Sequence, residues 1–244
     1  MNQEQNLRWL ILSGVTETIG ENPVNRLALN EINQPTIIVP SKGDQPEDNS
    51  ALKQACQLAN EAKNLVDLYQ KRADFDGCAL KKTARHTLNG WGALNPDVLC
   101  LVMSPDTADE KAGQLMSGET GTLLNKMLGA IGLSLNQNAY VTSLIPWRAP
   151  GNRMPTDVEL ALNRPFWEKE IDLIKPKLLI LLGGDVSKAL LGISALSKAR
   201  GTWHTYRGIP TRVSLAPATL LKLPQQKKMA WEDLQQIQQK LKEQ

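Results

Sequence analysis

The sequence predicts an α/β protein of three layers, with helices on both faces of a central four-stranded parallel sheet. Three observations predict it. Four short apolar runs have strand length: "DVLCLVM" from Asp97, "AYVTSLI", "KLLILLG" and "GIPTRVSLAP". Stretches of helical composition separate them, and repeated strand–helix units imply parallel pairing with helical crossovers. The third run is the most hydrophobic, as a central strand covered on both faces should be.

Taken in order, residues 5 to about 15 carry Leu7, Leu10 and Ile11 at helical spacing, so residues 1–19 read as an N-terminal helix. Residues 20–50 mix Pro, Asn, Gly and charge without periodicity and read as a flexible linker. The compact domain is expected over 51–244. It opens with "ALKQACQLANEAKNLVDLYQKRA", a single helix by length and composition. After the first strand, "ETGTLLNKMLGAIG" places Leu123, Leu124, Met127, Leu128 and Ile131 on one helical face and closes at Gly132. After the second strand, "PTDVELALNRPFWEKEIDLIKP" opens on a capping box, Thr156 to Glu159, and ends before Pro176. After the third, Asp185 is expected to cap "VSKALLG". No internal repeat is present.

Ligands of open α/β sheets sit beyond the carboxyl ends of the strands, so function is expected in the loops after Met103, Ile145, Gly183 and Leu215. The first loop, "SPDTADEKAGQLMSG", carries Asp106, Asp109 and Glu110, and its composition reads as a solvated surface loop. The second, "PWRAPGNRMP", holds Arg148, Asn152 and Arg153 between prolines and a glycine. Arginines on a stiffened loop suit phosphate contacts, and a rigid surface turn with solvated arginines fits equally. The third, "GGDVSK", lacks a full phosphate-loop pattern and reads as a tight turn. His86 and His204 stand alone, each a surface or packing residue by its context.

Composition narrows the partners little. A hydrophobic fraction of 41%, a charged fraction of 22% and a net charge of +3 describe an ordinary globular protein that permits nucleic acid without demanding it. The three cysteines, Cys56, Cys78 and Cys100, are too scattered for a disulfide framework or a metal-ligand set. No stretch has the length of a membrane span or a signal peptide's core, so the expectation is a cytoplasmic protein.

Several blocks, in this order and spacing, carry a resemblance: "GTLLNKMLGAIGL", "YVTSLIPWRAPGNRMPT", "RPFWEKEIDLIKPKLLILLGG", "ALLG", "RGTWHTYRGIP" and "APATLLK". Across residues 74 to 240 the chain resembles the uracil-DNA glycosylase superfamily, in particular its family 4 branch. The resemblance implies a glycosylase-like domain over 51–244 that faces DNA. Enzymes of this kind flip uracil out of the duplex and cleave its glycosidic bond while stabilising an anionic base.

It also implies where the chemistry should sit, and those positions are changed. A family motif of Gly-Glu-(Ala/Gly)-Pro-Gly, whose acid helps to position water, meets Met103-Ser104-Pro105-Asp106 here. The aromatic that stacks on uracil falls near Met116. The uracil-reading asparagine of a Thr-Asn pair falls on Ser143. The histidine of a His-Pro-Ala motif, which donates to the base as charge develops, falls on Ala216, followed by Pro217 and Ala218. Of the branch's iron–sulfur ligands, Cys78 sits where one is expected, without a Cys-x-x-Cys pair, and Trp147 stands where the family often has cysteine. The resemblance therefore implies loss of the cluster and no other cofactor or metal.

Three readings follow. The first is a catalytically weak or inactive DNA-binding member, a pseudoenzyme of base-excision repair, with Arg148, Asn152, Arg153 and Lys222 as DNA contacts. The second is an active glycosylase in which an acid of the 104–110 loop, Asp106 or Asp109, substitutes for the missing glutamate. The third is a protein-interaction module on the same fold; the N-terminal helix is a candidate site for a protein partner.

Overall fold

In a computed structural model the described residues are 45–243. The N-terminal helix and most of the linker read from the sequence lie outside them. Residues 45–50, assigned to that linker, begin the first described helix, α1 (Gln45–Glu61).

The single helix expected over 51–73 is two, because the chain breaks at Asn64. The Asn64 side chain caps α2 (Leu65–Asp74) by accepting from Asp67 N at 2.9 Å, while Asp67 accepts from Lys63 N at 2.9 Å. An asparagine that satisfies the first amides of a new helix stabilises a break over a continuous run. A short helix, α3 (Ala79–Thr83), follows.

The sheet has six strands rather than four, in the order β1-β3-β2-β4-β6-β5. Its four inner members are the four strands read from the sequence: β2 (Val98–Val102), β3 (Ala139–Ser143), β4 (Leu178–Leu182) and β6 (Ile209–Ser214), each parallel to its neighbours within this set. Two short antiparallel strands close the edges. β1 (Trp91–Gly92) pairs with β3 and β5 (Trp203–Tyr206) with β6. The β5–β6 turn is Arg207-Gly208, with φ of 49° and 82°, the left-handed pair that a two-residue hairpin requires.

Strand residues alternate between two cores, which makes the three layers. Leu99 and Leu101 of β2 pack with Leu179, Leu181 and Val213 beneath α1, α2, α6 (Asp157–Ile174) and α7 (Gly184–Leu191). Val98 and Cys100 pack on the other face with Val141, Ile180 and residues of α5 (Gly118–Gly129), α9 (Pro217–Lys222) and the C-terminal α10 (Lys227–Lys242). Between α7 and β5 lies the single-turn α8 (Leu196–Ala199). The expected capping box of α6 is present: Thr156 Oγ1 accepts from Glu159 N at 3.2 Å and Glu159 accepts from Thr156 N at 2.8 Å.

Asp185 does not cap α7 as expected. Gly183 occupies the cap position with φ 114°, and Asp185 lies inside the first turn. There its charge still favours the positive end of the helix.

Successive strands leave β2 in opposite directions, β3 to one side and β4 to the other. The crevice of such a sheet opens at the carboxyl ends between the strands where the order reverses. Here those strands are β2 and β4.

Candidate functional site

A cleft of about 400 Å³ lies at that crevice, lined by Met103 after β2, Asp185 and Lys188 of α7, and Leu160, Arg164 and Trp167 of α6. The strand ends around it are fastened to one another. Ile145 N donates to Met103 O at 3.1 Å, and Gly183 N donates to Ser214 O at 2.9 Å.

The loop after β2 is not the solvated loop its composition implied. It folds into a helix, α4 (Thr107–Ala112), and its acids turn inward. Asp106 caps α4 through Oδ1, which accepts from Ala108 N at 2.7 Å and Asp109 N at 2.9 Å. Asp109 is 2% exposed; its carboxylate accepts from Ser117 N at 2.6 Å and Asp106 N at 3.1 Å. Burial raises its pKa, and these amides work against that shift. Glu110 accepts from Arg85 N at 3.0 Å and from Arg148 Nε at 2.7 Å, which together hold its carboxyl below the ordinary range.

The same loop clamps the segment that carries Met116. Trp91 Nε1 donates to Leu115 O at 2.7 Å, and Met116 is held at φ 56°. Gly121 is required here, because a methyl group at that position would run into the Met116 carbonyl.

All five positions marked by the sequence as pocket residues lie in segments that leave the carboxyl end of the sheet. Met103 and Ser104 follow β2, and both are half-buried. Met116 is almost enclosed, and Ser143 ends β3 fully buried, its hydroxyl without a hydrogen-bond partner. The neighbouring Thr142 hydroxyl is likewise unpartnered. Ala216 is half-buried at the N-cap of α9, and a methyl group on Gly183 would lie 3.5 Å from the Ala216 Cβ. Two thioethers, two serine hydroxyls and a methyl group supply no ionisable group near neutral pH, and the serine hydroxyls are their only donors.

The basic loop is more committed than the sequence implied. Arg148 is tied to Glu110, and its Nη1 donates to Asn152 Oδ1 at 3.0 Å. Asn152 adopts φ 55° and donates to Thr107 Oγ1 at 3.4 Å. Arg153 forms a two-pronged contact with Glu159, at 2.9 and 2.6 Å. Lys222, at the end of α9, is exposed.

The positions at which the resemblance leads one to expect cluster ligands are packed as core. Cys78 is fully buried, with Asn163 Nδ2 3.8 Å from its Sγ, and burial pushes its thiol pKa up. Trp147 is 1% exposed in the same core and donates its indole N–H to Thr87 Oγ1 at 3.0 Å. Cys100 lies inside β2, its pKa pushed up to about 12 by burial, and Cys56 is exposed on α1. Among the described residues no group of three or more His, Cys, Asp or Glu side chains is arranged to hold a metal. With three cysteines in the whole chain, these residues do not fit a four-thiolate cluster.

Sequence reading missed one element of the site. Asp233 of α10 is 1% exposed and reaches Arg200 Nε at 2.7 Å, Arg212 at 3.4 Å and Ser214 Oγ at 3.0 Å. It clasps the C-terminal helix to the end of β6, two residues before the Ala216 corner.

The model of the uracil DNA glycosylase superfamily matches residues 90–235, more than half of the chain. The chain is 26% identical to the type-4 uracil-DNA glycosylase of Pyrobaculum aerophilum over 170 residues, covering 66% of this chain and 86% of that protein. It is 26% identical to the type-4 enzyme of Sulfurisphaera tokodaii over 170 residues, covering 66% of this chain and 77% of that protein. A DNA polymerase of Bacillus phage SP01 is 26% identical over 156 residues; the match takes in 64% of this chain and only 17% of the polymerase. The resemblance first carried by six short blocks thus extends through the fold from β1 into α10, and the chain belongs to the uracil DNA glycosylase superfamily.

Proposed function

We propose that this protein is a DNA-binding member of its superfamily with little or no uracil excision. The observation that carries this reading is the chemistry at the strand ends: Met103, Ser104, Met116, Ser143 and Ala216 occupy the positions where the resemblance expects an acid, an aromatic, an asparagine and a histidine, and none can act as an acid, a base or a charged donor. Loss of one preorganised donor costs about 10²–10³ in rate. Effects within one site are not additive, but an ordinary excision rate is hard to sustain without any of these groups. The acids of the neighbouring loop are spent on architecture, Asp109 on two backbone amides and Glu110 on Arg148. DNA contact falls to the loops around the cleft, with Lys222, Arg148, Asn152 and Arg153 facing phosphate. The packed Cys78–Trp147 core supports a protein that folds without an iron–sulfur cluster. Three free cysteines suit a reducing, cytoplasmic setting. Among the described residues no helix is long and apolar enough to cross a membrane.

One observation favours a residual activity. Asp106 is half-buried, and its Oδ2 is engaged only by Thr120 Oγ1 at 3.5 Å, which leaves a carboxylate oxygen available in the loop where the family keeps its acid. The test is single-turnover cleavage of a labelled oligonucleotide containing one uracil, protein in excess, single-stranded and duplex. The expected result is no cleavage with salt-sensitive binding. Cleavage abolished by Asp106→Asn would replace this reading with that of an active enzyme. Absence of any DNA affinity would leave the fold to a protein partner.

A further inference from the structure

Half of the large apolar side chains that the described residues expose are gathered in one short segment. Leu221, Leu223, Met229 and Trp231 are 37%, 40%, 45% and 40% exposed. Between them lie Lys222, Lys227 and Lys228, all exposed, and "LKLPQQKKMAW" contains no acid; the first is Glu232. An exposed apolar patch of this density marks a contact surface rather than ordinary surface scatter.

The patch borders a groove of about 200 Å³ between α5, α9 and α10. It is lined by Leu123, Met127, Leu220, Leu234 and Trp231, together with Lys126 and Lys227. The lysine ion pairs of the described residues involve Lys71, Lys81, Lys177 and Lys240, and none of the lysines around this groove. α9 starts at the Ala216 corner, and its Leu220 lines the groove.

We infer that this groove takes single-stranded DNA, with a base stacked on Trp231 and the backbone phosphates held by Lys126, Lys222 and Lys227. An aromatic face flanked by cations is the arrangement that binds single strands without reading sequence. The lysines match the phosphates in charge, and the exposed Trp231 gives a base a face to stack on. The inference rests on the DNA-binding reading above and adds a second contact surface to it.

The test is fluorescence anisotropy with labelled oligothymidylate and, in parallel, a duplex of mixed sequence, across a salt series. Trp231→Ala should weaken oligothymidylate binding by roughly five- to hundredfold, the range of one stacking contact, and weaken the duplex far less. Lys227→Ala should lower the salt slope on the single strand by about 0.7, the share of one phosphate. Trp231→Phe should retain binding, which separates loss of stacking from loss of the fold should the alanine variant melt early. Equal single-strand affinity in wild type and Trp231→Ala, with duplex binding intact, would overturn the inference and leave the DNA-binding reading standing. A wild type that binds neither probe would overturn both. Displacement of oligothymidylate by polyglutamate at matched ionic strength, with Trp231→Ala indifferent, would assign the groove to acidic protein and also overturn it.

Discussion

Glu110→Gln separates the two tasks of the loop after β2. The wild-type carboxylate serves two donors at once, Arg85 N at 3.0 Å and Arg148 Nε at 2.7 Å, and its side chain is 10% exposed. An amide has one oxygen and turns its NH₂ toward the other donor, so at least one charge-assisted bond is lost. Such a bond is worth about 1.5–3 kcal/mol, and the 24% exposure of Arg148 places this one in the lower half of that range. A loss of about 2 kcal/mol lowers the Tm of a domain this size by roughly 4–8 °C. The loss should also depend on pH. Glu110 has a folded-state pKa below its unfolded value, so its contribution is full above the ordinary glutamate pKa, about 4.3, and is lost as pH falls through the lower folded value. Thermal melts followed by circular dichroism should show the two proteins separated at neutral pH and converging in acid. Arg148→Ala, which removes the proposed phosphate contact itself, should flatten the log–log salt dependence of duplex binding by about 0.9. A variant that melts with wild type at neutral pH, or a gap indifferent to acid, would refute the structural part. An unchanged salt slope would refute the assignment of Arg148 to DNA.

Three further outcomes are expected. Gly121→Ala should cost about 3 kcal/mol or more, read as a fall in the urea midpoint, because its methyl group must displace the Met116 carbonyl. Asp233→Ala leaves Arg200 and Arg212 without their carboxylate and should cost about 3–5 kcal/mol by the same measurement. Purified protein should contain no iron and melt at the same temperature with or without chelator, and Cys78→Ala should shift stability by less than about 1.5 kcal/mol; stoichiometric iron would contradict the packed core described above.

The parallel core of the sheet was legible in the sequence because β2 and β4 are buried throughout and read as unbroken apolar runs, with helical stretches between the four strands. The edge strands were not, because Trp91-Gly92 is too short to show a period and "WHTY" alternates weakly. Their pairing depends on a neighbour's backbone rather than on their own pattern. The pocket positions could be placed because strand ends punctuate the chain. Asp109 and Glu110 were misread because composition cannot say which way an acid points; the Asp106-x-x-Asp109 spacing was the available sign of a capping box. Asp233 left its own trace, an acid at the spacing of the buried Ala230, Leu234 and Ile237, where an uncompensated charge would not be tolerated.

The short edge strands also bear on how the protein behaves in crowded solution. A parallel sheet built from continuous Val, Ile and Leu runs is a template for adding further strands wherever its border lies open. β1 offers two residues to such pairing and β5 four, so a neighbouring molecule finds little to extend. The β5–β6 turn therefore guards solubility as well as shape. A residue that resists left-handed backbone at Gly208 would pull the hairpin apart, bare the flank of β6 and turn a covered border into a growing end.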